Sequence, residues 1–182
     1  MGWIVLGIIA LVAIGLIWGY NTLVSLKKRV ENAWSQIDVQ LKRRYDLIPN
    51  LVEAAKGYIV HERQTLENVV KARQQAIDVS GVQEQAKAEN FLTSSLRSLF
   101  AVVENYPDLK ANQNILALQE ELASTENKIA FARQYYNDEV MRLNTLISTF
   151  PTNLIANWFK FSHSEFFEIE DLLHREAPKV KF

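Results

Sequence analysis

Hydrophobic positions along the chain form one uninterrupted block followed by a series of helical seams. Residues 1–26, MGWIVLGIIALVAIGLIWGYNTLVSL, contain no charged side chain, and as one helix they span roughly 39 Å at about 1.5 Å per residue. That length covers a hydrocarbon core of roughly 30 Å, and Trp18 and Tyr20 stand where an aromatic belt sits. A cleaved signal peptide has a basic start and a small-residue cleavage site, whereas this stretch has no basic residue and continues through the bulky LIWGYNTLV. The reading is a retained transmembrane helix.

Beyond the block, Val30, Trp34, Ile37, Leu41, Arg44 and Ile48 keep the alternating 4,3 spacing of a heptad seam. Pro49 removes a backbone donor and crowds the preceding turn, which predicts a kink or a reversal there. A second seam runs through Val52, Ala55, Ile59, Glu62, Leu66 and Val69 towards Ala76. Ser80 and Gln83 form a capping box that predicts a third helix from about Gly81, carried by Leu92, Leu96 (or Ser95), Leu99, Val103 and Tyr106 and stopped by Pro107. The fourth seam is the longest: Ile115, Leu118, Leu122, Thr125, Ile129, Ala132, Tyr136, Val140, Leu143, Ile147 and Phe150, with one 4,4 stutter at Tyr136. Pro151 ends it, and a second capping box, Ser162 with Glu165, predicts a short acidic helix through about Arg175. No stretch alternates as a strand. The predicted fold is therefore all-α: a transmembrane anchor over 1–26, a long antiparallel bundle of three to four helices over 27–161, and a short helix and tail over 162–182.

Charge sharpens this picture. The 20 Lys and Arg and 21 Asp and Glu all lie after residue 26, and about +4 collects between Lys27 and Arg44, leaving about −5 for the rest. Lys27, Lys28 and Arg29 flank the span on one side only, which predicts a single-pass protein of the cell membrane with its C-terminal domain in the cytoplasm. The same residues attract anionic lipid without needing a dedicated site. A net charge of −1 gives no basis for a nucleic-acid partner.

The chain has no cysteine, which removes disulfides, thiolate metal sites and a cysteine nucleophile. His61-Glu62 starts like a zinc-protease signature, but Thr65 stands where the second histidine is needed. His163 and His174 read as surface residues, and Glu168, Glu170 and Asp171 lack the pattern of a calcium loop. A carboxylate-bridged metal site expects Glu-x-x-His pairs, and none occurs. No catalytic residue, metal site or cofactor is expected. Arg44 and Glu62 are charged residues at seam positions, and the pair is a candidate for fixing register in the bundle core.

The segments YNTLVSLKKRVENAWSQIDVQLKRRYDLIPNLVEAAKGYIVHERQTL (20–66), ENYPDLKAN (104–112), ENKIAFARQYYNDEV (126–140) and FPTNLIA (150–156) resemble the LemA family of bacterial membrane-anchored helical proteins. The resemblance implies an N-terminal anchor, a long antiparallel helical domain, and a link to envelope stress, membrane-protein quality control or magnetosome biogenesis, with no catalytic residues to carry over. Where the family ends in small, glycine-rich residues, this chain has Asn157-Trp158-Phe159-Lys160-Phe161.

That ending is the one candidate site. Phe150, Leu154, Ile155, Trp158, Phe159 and Phe161 lie in a stretch whose only charge between Arg142 and Glu165 is Lys160, and it reads as core lid, partner site or interfacial anchor. If the chain reverses at Pro49, the patch returns to the bilayer; if Pro49 only kinks one long helix, the patch points away. The reversal is the favoured expectation, because Pro49 lies between two seams. The functional expectation is a non-enzymatic membrane-anchored scaffold or adaptor that uses residues 1–26 to hold lipid and meets a membrane-protein partner or copies of itself. Alternatives are a surface oligomer that remodels membranes and an enzyme with a site scattered through the bundle.

Overall fold

The structure, a computed structural model, describes residues 1–59 and 62–168. These form α1 (Gly2–Lys56), α2 (Arg63–Asp78), α3 (Val82–Val103), α4 (Pro107–Lys110), α5 (Gln113–Ser148) and α6 (Thr152–Trp158), with no strand among the described residues. The all-α expectation holds. The described residues divide into two compact units, one made of residues 1–40 and 128–166 and the other drawn from 41–127 and 167–168.

In the first unit, α1 starts with every side chain from residue 1 to residue 18 exposed. A helix apolar on all sides and exposed on all sides needs an apolar surrounding, and this is the stretch of the chain long and apolar enough to cross a membrane. From Leu23 onward one stripe is buried: Leu23, Leu26, Val30, Ala33 and Ile37. It packs with the C-terminal part of α5 in antiparallel sense: Thr22 lies beside Thr145, the rings of Trp34 and Tyr136 meet at 5.4 Å, and Val39 lies beside Phe131 and Tyr135. Ile129, Tyr136, Val140, Leu143 and Ile147 are buried as the fourth seam requires, while Phe150, its last member, is exposed.

In the second unit α1 continues, and Pro49 does not reverse it. This corrects the favoured sequence expectation. Proline cannot donate to the carbonyl four residues earlier, that of Tyr45, and the Arg73 Nε donates to that oxygen at 2.7 Å instead. With the orphaned acceptor satisfied, the buried stripe Leu41, Arg44, Ile48, Leu51 and Ala55 passes the proline unbroken. The helix ends eight residues later at Gly57, where the amides of Tyr58 and Ile59 both close onto the Ala55 carbonyl. The second seam is thus real in its burial, with Val52, Ala55, Ile59, Leu66 and Val69 all in the core, but it is shared between two helices.

α2 and α3 form an antiparallel hairpin over this core, and α5 completes it through Ile115 and Leu122. The start of α3 also differs from expectation. Its N-cap is Gly81 at φ +97°, and no side chain caps it, so the Ser80–Gln83 box does not form; a φ in this range is accessible to glycine at little cost. Pro107, expected to stop the third helix, opens α4 at its first turn, where its missing N–H costs nothing. Asn112 caps α5, its Oδ1 accepting from the amide of Asn114 at 2.9 Å. Residues 162–168 are not helical, so no helix starts at the Ser162–Glu165 box; the rest of that expected helix lies outside the described residues.

Removing the Arg73 donor should cost about 1–3 kcal/mol, since a partly buried carbonyl loses its partner. In a Pro49→Ala background the restored amide of residue 49 can take that carbonyl, so Arg73→Ala should cost less than half as much there. A double-mutant cycle by urea denaturation of the detergent-solubilised chain measures the difference, and equal costs in both backgrounds would refute the compensation.

Candidate membrane-proximal site

The aromatic patch is assembled by three local devices in the first unit. After Pro151, α6 lays Ile155 directly on the α1 backbone at Gly19, where an added Cβ would come 2.5 Å from Ile155 Cδ1. α6 ends in a Schellman turn: Lys160 takes φ +59° and the Phe161 amide donates to the Ala156 carbonyl at 2.9 Å. That turn sends Phe159 and Phe161 back against α1, with ring centroids 4.6 and 6.0 Å from Tyr20. The segment that follows is strapped to α5, where Asn144 both accepts from the Ser164 amide and donates to its carbonyl, each at 2.9 Å. The Tyr136 hydroxyl donates to the Glu165 carbonyl at 2.9 Å.

The six patch residues therefore divide. Ile155 is 6% exposed and Phe161 half-buried, so these two fix the end of the domain to α1. Phe150, Leu154, Trp158 and Phe159 are 75, 60, 84 and 53% exposed and form the outer face. Continuity through Pro49 had been coupled to a patch pointing away from the span; the structure shows the opposite. Because α1 ends at Lys56 and α2 begins at Arg63, the number of helices before α5 is the same as for a reversal at Pro49, and α5 delivers the patch to Tyr20.

Lys27, Lys28 and Arg29 are all exposed on the next turns of α1. Lys28 pairs with Glu31 at 2.7 Å, and this contact holds the Glu31 carboxyl below its ordinary range.

The second unit contains the buried charge that the seam pattern flagged, with a different partner. Glu62 stands at the N-cap of α2, only partly buried, and does not meet Arg44. Arg44 instead bonds Glu89 at 3.2 Å, Thr93 at 2.8 Å and Glu126 at 3.0 Å, with the Arg44 and Glu89 side chains 4 and 6% exposed. The other Glu89 oxygen accepts a short hydrogen bond from the Tyr45 hydroxyl and a third from Gln85, which also reaches the Ala76 carbonyl at 3.0 Å. Extending the third seam one turn back from Leu92 lands on Glu89, so its burial was legible. Its pairing was not.

Burial pushes the Glu89 carboxyl above its ordinary value, against the opposing pull of Tyr45, Arg44 and Gln85. Tyr45 is raised too, by burial first and then by the neighbouring Glu89 charge. Every charged group of this network is hydrogen-bonded and only the Glu126 end is open to solvent, so the hypothesis that it locks the register of the bundle now rests on Arg44 with Glu89.

Of the metal candidates, His61, Glu170, Asp171 and His174 lie outside the described residues. Among the described ones no cluster of His, Asp and Glu could hold a metal ion; His163 shares a hydrogen bond of 3.0 Å with Ser148, and Glu168 is exposed.

Two outcomes test the lock. Arg44→Leu strands Glu89 and should cost about 3–5 kcal/mol, while Arg44→Leu with Glu89→Leu should recover most of that loss, read from denaturation midpoints. For pH, an acid whose folded value is raised adds stability that is fully present below its ordinary 4.5 and lost as pH rises through the folded value. Glu89→Gln should therefore remove a decline in melting temperature that begins above about pH 4.5; parallel profiles for the two proteins would contradict it.

Magnetosome protein MamQ 2 of Paramagnetospirillum magneticum is 24% identical over 90% of this chain and 70% of its own length. Protein LemA of Metamycoplasma hominis is 26% identical over 84% of this chain and 70% of its own. Magnetosome protein MamQ of Magnetospirillum gryphiswaldense is 21% identical over 84% of this chain and 65% of its own. The LemA family model matches residues 33–182, which takes in the rest of α1, every later helix and the patch, and the chain belongs to the LemA family.

Proposed function

We propose that this protein is a non-enzymatic, membrane-anchored helical scaffold, held to the bilayer by α1 and again by the α6 end, which presents its bundle to other membrane proteins on the cytoplasmic side. The observation that carries this reading is the contact of Phe159 and Phe161 with Tyr20. It brings the exposed Leu154, Trp158 and Phe159 to the level where the exposed apolar stretch of α1 ends. Aromatic side chains and an adjacent lysine are suited to that depth, with Lys160 reaching the headgroups. A body held at two points has a fixed orientation, which is what a platform for partners requires. The basic flank at Lys27, Lys28 and Arg29 supports the cytoplasmic side.

The absence of cysteine makes the depth test direct. A fluorophore on Trp158→Cys, in the full-length protein in liposomes, should be quenched by brominated lipid, while the same label on Val39→Cys should not be. Equal quenching at both positions, or at neither, would remove the second anchoring point. Crosslinking in native membranes then tests the scaffold role, which expects neighbours that are other membrane proteins. Neighbours that are only copies of the chain would favour a surface oligomer, and an uncrosslinked monomer would defeat both.

A further inference from the structure

A groove of about 740 Å³ runs between α1 and α5 in the first unit, just above the exposed apolar stretch. Its α1 wall places Asn21, Ser25 and Arg29 four residues apart, hence in one line up the helix face. Its α5 wall contributes Arg142 and Thr145, and Trp18 stands at the membrane end. No acidic residue lines it.

The donors along this line are available. Among the described residues Arg29 has no ion pair, and Asn21 and Ser25 make no side-chain hydrogen bond. Arg142 is held in place by Glu139, 3.0 Å away and itself 2% exposed, through one nitrogen of its guanidinium. A guanidinium carries five N–H donors, and Arg142, more than half exposed and part of the groove lining, keeps others for a ligand.

Height fixes what can occupy such a site. A hydrocarbon core of roughly 30 Å takes about 20 helical residues, which from Gly2 ends near Asn21. The headgroup layer then lies beside Ser25, and Arg29 is about two turns above Asn21, with a side chain that leans back towards the helix N-terminus and so towards the bilayer. A groove with two arginines and no carboxylate at that height complements a phosphate diester, and Trp18, Leu26, Met141 and Leu146 complement the glycerol and upper acyl chains that come with it.

We infer that this groove binds the headgroup of an anionic phospholipid, with Arg29 and Arg142 clamping the phosphate and Asn21 and Ser25 donating below it. This rests on the reading of α1 as a membrane anchor. It is distinct from the diffuse attraction of Lys27 and Lys28, which point to solvent and do not line the groove.

The test uses the full-length protein reconstituted in mixed phosphatidylcholine and phosphatidylglycerol, released into mild detergent, with retained lipid identified by native mass spectrometry. Wild type should retain phosphatidylglycerol over phosphatidylcholine by roughly tenfold, the scale of one or two charge-assisted contacts. Arg29→Gln with Arg142→Gln should abolish that preference, and Lys27→Gln with Lys28→Gln should leave it intact. Displacement by inorganic phosphate as effective as by lipid would show an anion site with no lipid specificity and overturn the inference. So would equal loss in the two double variants. Carbonate extraction of the same liposomes reports the anchor separately: a protein that is extracted fails the anchor reading, whereas one that stays inserted without lipid preference fails only this inference.

Discussion

Pro49 leaves the Tyr45 carbonyl without a backbone donor, and Arg73 supplies one from the next helix. An unpaired carbonyl there would cost free energy, and this hydrogen bond lets α1 run past the proline to Lys56 without that cost. Its continuation carries Arg44, Ile48 and Leu51 along one unbroken face, on which α2 and α3 then pack. The same residue, Tyr45, donates its hydroxyl to Glu89, so the site of backbone repair and the buried charge network are one structure seen from two sides of a helix turn.

That network explains why charged groups occupy core positions at all. Arg44 alone would be intolerable at 4% exposure, but Glu89, Thr93 and Glu126 satisfy it from two other helices. An apolar core could slide by a heptad with little penalty, whereas a guanidinium fitted to three named partners cannot. The long repetitive seams of α1 and α5 make such slippage a real alternative, and the network sits where it would exclude it.

Much of this was legible in the residues. Seam spacing identified nearly all the buried positions of α5 and the central line of those in α1 and α3, because periodicity reports the face that packs whatever the partner; it missed Leu23, Leu26, Ala33 and Leu51 in α1 and Ala86, Ala88 and Glu89 in α3, which widen that face. What it could not report were long-range donors. Nothing near Pro49 in sequence signals Arg73, so a reversal was the reasonable expectation; nothing near Arg44 signals Glu89, so Glu62 was the nearest seam charge to suggest. The capping boxes failed for a related reason: a local pattern at Ser80 or Ser162 competes with the positive φ available at Gly81 and with the backbone clamp that Asn144 places on Ser164. The aromatic ending was found by composition, but its division into docking residues, Ile155 and Phe161, and outward-facing ones required the fold.

The contact of Ile155 with Gly19 sets more than a packing distance. Since the α6 side chain rests on bare backbone there, α1 cannot turn about its own axis without driving a side chain at residue 20 or 23 into α6. The azimuth of the apolar stretch is thereby set by the folded unit: the helix enters the lipid as a shaft keyed to its housing.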